Sequence, residues 1–258
     1  MQPTLSSRTI GSGGSGFPRT RWSLVARVAG GGGREDEGSG AFRDALGELV
    51  GAYWRPVYRA LRARHRRTRE DAEDLTQAFF LELLEKHTLR KFVADPQAGR
   101  FRGLLRALLD GFVSGEERKA RRRKRGGDRV HVPLDPAQIE AIEERIAQDP
   151  QGDPFDQEWR ATVIDQALAD LANESKNPLA RRRLEVFLAY EVEPEGGVQP
   201  TYAELAARLS IQPHDVKNDL VAARRRFAEL ILERIREDVR DEAEAREEMR
   251  LLFGGAGP

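Results

Sequence analysis

DAEDLTQAFFLELLEK, residues 71–86, followed after a short interruption by GRFRGLLRALLDGFVSGEERKARRRKR, residues 99–125, decides how this chain folds. At 100° per residue, Ala72, Leu75, Phe79 and Leu83 of the first stretch fall on one stripe, the pattern of a helix that buries one side. In the second, Leu104, Leu105, Leu108, Leu109 and Phe112 form the buried face, and the apolar pattern ends at Val113. Both stretches are therefore expected to be helices, over roughly 70–86 and 100–124, but their outer surfaces differ in charge. The first shows Glu70, Glu73 and Asp74; the second ends in Arg118, Lys119, Arg121, Arg122, Arg123, Lys124 and Arg125.

The same periodicity extends in both directions. From Ala41, Phe42, Leu46, Leu49, Val50, Tyr53, Trp54 and Val57 recur at three- and four-residue intervals, with Pro56 expected to bend or restart the helix. Further helical patterns cover 157–173, 179–191, 201–209 and 213–250, and strand signals are weak throughout. Residues 1–40 are rich in Gly and Ser and read as flexible, with RWSLVARV (Trp22, Val25, Val28) as a short docked helix. Residues 126–156, punctuated by Pro133, Pro136, Pro150 and Pro154, read as an acidic linker with one short helix near Ile139–Ile146. The expected fold is all-α. A flexible segment (1–40) precedes a helical domain (41–125), an acidic linker (126–156), a second small helical domain (157–236) and a helical extension (237–258). In the extension, Met249, Leu251, Leu252 and Phe253 are placed to dock it back.

Composition nearly hides this organisation. Lys plus Arg and Asp plus Glu number 43 each, so the formal charge is zero. Its distribution carries the information: residues 99–125 hold ten basic side chains against three acidic, and residues 126–156 hold two against eight. Cysteine is absent, which removes disulfides, thiolate metal sites and cysteine nucleophiles. The four histidines, His65, His87, His131 and His214, lack metal-ligand spacing, and there is no P-loop or nucleophile elbow. The expectation is a non-enzymatic protein with no cofactor. No apolar run has the length of a membrane span and no signal peptide core is present, so the cytoplasm is the expected compartment.

Three surfaces are candidates for binding. Asp74, Gln77, Leu81 and Leu84 lie opposite the core stripe of the acidic helix. This mixed acidic and apolar strip fits a protein partner, or Leu81 and Leu84 pack beneath another helix of the same domain. The basic end fits a polyanion, because seven bases in eight positions repel one another unless phosphates neutralise them. A solvated helix end that complements the helix dipole is the plainer reading, although one or two cations would suffice for it. Near the C-terminus, Thr201 and Glu204 form a capping box at the start of TYAELAARL. The turn Ser210-Ile211-Gln212 then leads to Pro213 as first residue of PHDVKNDLVAARRRF, with Val216, Leu220, Ala223 and Phe227 on its buried side. This is the layout of a helix-turn-helix, whose second helix presents its N-terminal residues to the major groove; a bare αα-corner shows much the same pattern.

Taken together, DAEDLTQAFF, GRFRGLLRALL with its basic end, and YAELAARL with VKNDLVAARRRF resemble an RNA polymerase sigma factor of the extracytoplasmic-function (ECF) type, in the sigma-70 family. The resemblance covers about residues 41–236. It implies a region-2 domain, a linker and a region-4 helix-turn-helix domain. It also implies core RNA polymerase and promoter DNA as partners, with an anti-sigma or other regulatory protein as a further one. The implied function is transcription initiation: directing core polymerase to promoters by recognising −10 and −35 elements and helping to melt DNA.

Residue by residue, the resemblance makes Asp74, Gln77, Leu81 and Leu84 the polymerase contact. Arg90, Lys91, Phe92, Gln97 and Arg100 become the −10 site, with Arg118, Lys119, Arg121 and Arg122 on the backbone; Phe92 is an available stacking surface and Phe101 reads as core. Gln212, His214, Asp215, Lys217 and Asn218 would face −35 bases, while Arg224 and Arg225 hold phosphates. By the same resemblance the acidic linker lies along polymerase channels and mimics nucleic acid, or it is a plain tether. The chain departs from the family where Ser210 and Gln212 replace a usual glycine and a serine or threonine. It departs again where Leu104, Gly111 and Gly115 replace a tryptophan, an asparagine and an aspartate. A helix-turn-helix regulator that binds DNA without engaging polymerase is the alternative reading of the same residues.

Overall fold

The structure is a computed structural model that describes residues 40–85, 101–120, 134–148, 152–194, 197–239 and 241–254. Among these residues the chain is all-helical, with nine α-helices and no strand. They are α1 (Gly40–Arg59), α2 (Arg69–Glu85), α3 (Phe101–Ala120), α4 (Pro136–Gln148), α5 (Pro154–Glu174), α6 (Pro178–Phe187), α7 (Tyr202–Leu209), α8 (Pro213–Asp238) and α9 (Glu242–Phe253). The expected N-terminal helix RWSLVARV lies outside the described residues.

Helix α1 is the central packing element. Leu49, Tyr53, Val57 and Leu61, spaced by four, are all buried in the core. Pro56 does not interrupt α1, which instead widens into a single π turn at Ala60–Arg64 just before it ends. Tyr53 stacks on Trp159 of α5 with ring centroids 5.0 Å apart, and meets Phe101 of α3 edge-on at 5.2 Å. Helix α2 buries Ala72, Phe79, Phe80 and Leu83, leaving Leu75 partly covered. In α3, Phe101, Leu105, Leu109, Phe112 and Val113 are buried, whereas Leu104 and Leu108 are half-covered at the flanks of the predicted face.

The segment expected as a flexible linker contains a docked helix. Ile139 and Ile142 of α4 are buried in the same core as α1. The Tyr58 hydroxyl donates to Glu143 at 2.7 Å, and Arg62 forks onto both Glu143 oxygens at 2.6 Å. Pro136 starts this helix rather than punctuating a loop, because Asp135 accepts the Ala137 N–H at 2.9 Å and caps it. Residues 126–133 and 149–151 lie outside the described residues.

Helices α5 and α8 extend the core. One continuous apolar cluster includes Tyr53, Phe112, Ile142, Trp159, Ala223, Leu230, Ile235 and Leu252, so it reaches from α1 to α9. A second, smaller cluster of Val186, Leu205, Ala206, Val216 and Leu220 holds α6, α7 and the start of α8 together. At the centre of the α1–α4–α5 junction sits Glu158, a fully buried carboxylate. Arg55 meets it at 2.8 Å, Arg59 at 3.3 Å and Arg145 at 2.6 Å.

The long C-terminal helix expected over 213–250 is two helices. Helix α8 ends at Asp238, Val239 is extended and buried, and α9 restarts behind Asp241, whose carboxylate accepts the Glu244 N–H at 2.9 Å. Helix α9 does dock back: Ala245 and Leu252 are buried and Met249 and Phe253 partly so, while Leu251 is 59% exposed.

Candidate nucleic-acid and protein interfaces

The outer face of α2 forms one side of an open groove of about 380 Å³ against the C-terminal half of α3. Leu75, Leu81 and Val113 give it an apolar lining, and Asp71, Asp74, Glu116 and Glu117 an acidic one interrupted by one cation, Arg67, which pairs with Glu117. Asp74 is exposed; Gln77 and Leu81 are half-buried and line the groove. Leu81 thus does not disappear beneath a neighbouring helix, and Asp74, Gln77 and Leu81 are brought together. The Leu84 side chain lies outside the described residues.

At the end of α3, Arg118 and Lys119 are exposed. Lys119 bonds Glu116 at 2.7 Å and lies 3.6 Å from Glu82, and the Glu116 contact raises its pKa above the ordinary lysine value. Arg118 donates from Nε to the Ser114 carbonyl at 3.0 Å, which leaves the exposed end of its guanidinium facing outward. Arg121 and Arg122 lie outside the described residues, as do Arg90, Lys91, Phe92, Gln97 and Arg100. Phe101 is core, as its position in the apolar stripe implied.

Two cations earlier on α3 were not among the sequence candidates. Arg102 is nearly buried between Asp156 of α5 and Glu248 of α9, the latter at 2.8 Å. Arg106 reaches Asp156 at 3.3 Å and Asp153 at 3.7 Å. The acidic residues that begin α5 therefore neutralise the first half of the basic helix.

The two helices expected to form a helix-turn-helix are α7 and α8. Thr201 and Glu204 make both arms of the capping box, at 2.8 Å and 3.2 Å. Helix α7 ends with Ser210 in the left-handed region (φ +56°), where the Ile211 N–H reaches the Ala206 carbonyl at 3.0 Å. This reversal is usually made by glycine, which has no Cβ to clash, so serine holds it under strain. Pro213 then opens α8 as expected.

On α8, His214, Lys217, Asn218 and Arg225 project from one exposed face, with Gln212 exposed at its start. Val221, 58% exposed, lies among them. Polarity alone missed it, although its place three residues after Asn218 and four after Lys217 puts it on that face. Arg225, though exposed, bonds Glu229 one turn on at 3.1 Å, and the other two predicted contacts are engaged elsewhere. Asp215 is half-buried and accepts the Gln212 N–H at 3.3 Å, so it caps the helix. Arg224 turns to the flank, where it bonds Glu191 at 2.8 Å and sits over the Tyr190 ring at 5.7 Å; the Glu191 bond raises its pKa.

No group of His, Asp and Glu among the described residues is arranged to hold a metal ion, and no described helix is long and apolar enough to cross a membrane. No family model, curated protein or solved structure matches this chain.

Proposed function

We propose that this chain is a transcription initiation factor of the ECF sigma type, which binds core RNA polymerase through the α2 groove and promoter DNA through α3 and α8. The observation that carries the reading is the face of α8. Behind a capped αα-turn, His214, Lys217, Asn218, Val221 and Arg225 are presented together, a mixture of cation, amide and methyl groups suited to base edges and phosphates. A DNA-reading helix alone fits an ordinary regulator equally well. What favours an initiation factor is the second surface on the same chain, a groove with an apolar and mainly acidic lining, which suits a basic protein partner and is unsuited to DNA.

Asn218 and Val221 supply sequence selectivity in this reading, Lys217 and Arg225 the phosphate contacts, and Arg224 a brace for the helix-turn-helix. The end of α3 holds the DNA backbone beside the −10 element through Arg118 and Lys119. Reconstitution tests the proposal. The chain mixed with core RNA polymerase should co-elute on a sizing column and yield promoter-specific run-off transcripts. Neither complex nor transcript would overturn the sigma reading, and a footprint obtained without polymerase would favour the simple regulator.

A further inference from the structure

The start of α6 carries positive charge that the outward face of α8 does not include. Residues 176–183, KNPLARRR, hold Lys176, Arg181, Arg182 and Arg183 and no acid. Val186 and Phe187 seat α6 along α8: Val186 packs with Val216 and Leu220, and the Phe187 ring lies 5.1 Å from that of Phe227. This packing sets the arginines beside Asp219, a carboxylate of α8 that is only 2% exposed. Arg182 meets it at 2.6 Å and Arg183 at 3.4 Å, each through Nε. The terminal nitrogens of both guanidiniums bond nothing else among the described residues. We infer that Arg182 and Arg183, anchored together on Asp219, form a clamp for one phosphate of the duplex backbone beside the groove that α8 reads. The inference rests on the reading of α8 as DNA-facing and adds a backbone site to it.

A plain ion pair would need one arginine, since one cation neutralises one carboxylate. The second leaves a net positive charge on a buried anchor, and the two side chains stay 35% and 42% exposed, open to a ligand. A guanidinium gripped at Nε keeps its terminal fork for a second acceptor, and that fork matches the oxygens of a phosphate. Holding it in place beforehand removes part of the entropy cost of binding. The location fits the same ligand. Asp219 follows Asn218 directly, so at 100° per residue it lies on one flank of the outward face, where a strand bordering the major groove passes. The opposite flank offers no such site, because Arg224 is engaged by Glu191 at 2.8 Å. Further along the clamp's own flank, Glu174 at 2.6 Å and Glu233 at 2.9 Å engage Arg226. The paired open forks therefore stand beside the N-terminal half of α8, the end that a reading helix puts into the groove.

Removing the Asp219 charge separates a positioned clamp from a patch of bulk charge. Asp219→Asn takes a negative charge off the protein, so bulk electrostatics alone would tighten binding to DNA, whereas loss of the anchor weakens it. Full-length protein titrated against fluorescein-labelled duplex DNA over a salt series reads both the affinity and the number of ions released. Arg182→Gln and Arg183→Gln should each weaken binding about three- to tenfold on every sequence and lower the salt slope by about one. Arg182→Lys keeps the charge, but an ammonium has no fork to span Asp219 and a phosphate, so binding should fall nearly as far. Asp219→Asn should weaken binding about threefold. Thermal unfolding of each variant is followed alongside, and if Asp219→Asn does not fold, Arg182→Lys decides between clamp and bulk charge. Wild-type affinity in Arg182→Lys, tighter binding in a folded Asp219→Asn, or an unchanged slope in both glutamine variants overturns the clamp. Lys217→Ala tells the two readings apart. If it lowers the slope while the glutamine variants do not, α8 faces DNA without a clamp; if no variant changes the slope, the DNA reading of α8 fails and the clamp with it.

Discussion

Replacing Glu158 by glutamine should be the most damaging single-atom-scale change in this protein. The substitution keeps the shape of the side chain and removes the one negative charge that Arg55, Arg59 and Arg145 share at 2.6–3.3 Å. Arg55 retains Asp165 at 2.8 Å and Arg59 retains Gln157 at 2.9 Å, so two of the three guanidiniums keep a partner. The arginines cannot lose their protons, and Arg55 and Arg59 are 8% and 3% exposed, so water does little to screen them. Removing one partner from such a buried group costs about 3–5 kcal/mol, and the retained partners place the value near the lower end. At about 2–4 °C per kcal/mol for a domain of this size, Tm should fall by about 6–15 °C. Thermal unfolding followed by far-UV circular dichroism measures it. Arg145→Met serves as control, because that arm is one-third exposed and should cost about 1 kcal/mol or less. A cooperative Glu158→Gln transition within about 2 °C of wild type would refute the buried network and, with it, the docking of α4.

The remaining predictions concern the turn, the two interfaces and pH. Ser210→Gly relieves a left-handed serine and should stabilise the protein by about 1 kcal/mol in chemical denaturation, with DNA affinity unchanged; a loss of stability would show that the strain is absent. Asp74→Arg with Leu81→Arg should abolish co-elution with core polymerase while amide protection of α7 and α8 is retained, and undiminished core binding would show that the α2 groove is not the contact. Asn218→Ala should cost about 1–3 kcal/mol at one base pair and relax its specificity, whereas Arg225→Ala should weaken all sequences alike and reduce the salt slope by about one ion; competition binding over a salt series separates the two. Burial holds the His65 pKa below its ordinary 6.5, so the unfolded chain takes up that proton first and stability is lost as pH falls from 6.5 through the folded value. Glu143 and Glu174, held below 4.5 chiefly by their bonds to Arg62 and Arg226, add a second loss only at pH values under 4.5. Urea titrations at about pH 7 and pH 5.5 should show the first loss, and His65→Gln should remove it.

Helix positions were legible because they rest on periodicity, and proline was misread because its meaning depends on its neighbour. Pro136, Pro154, Pro178 and Pro213 each follow Asp, Asp, Asn or Gln and each opens a helix. Only Pro213 was recognised as a starter from the sequence, since a capped helix preceded it. The dipeptides Asp135-Pro136 and Asp153-Pro154 carry the same signal inside an acidic stretch, where charge had pointed to a tether. Buried charge was the second thing the sequence could not reveal. Glu158, Asp219 and Glu248 look like members of solvated faces until the fold sets arginines from other helices against them. Arg224 and Asp215 illustrate the converse: residue type fits DNA, but Glu191 and the Gln212 N–H reach them first.

Under the proposed function, that competition also decides how a chain of zero net charge would meet a polyanion. Oppositely charged blocks adjacent in sequence fold onto one another, so Asp153 and Asp156 cover Arg102 and Arg106. Among the cations proposed to meet DNA, Arg118 and Lys119 at the end of α3 and Lys217 and Arg225 on α8 remain exposed. Non-specific attraction to DNA scales with the phosphates neutralised, so positive charge that internal carboxylates already cover should add little to it. Arg106→Ala should accordingly leave the salt dependence of binding to duplex DNA unchanged. A shallower slope in that variant would mean that phosphate displaces Asp153 and Asp156 from the helix, and that the charge blocks do more than hold the fold.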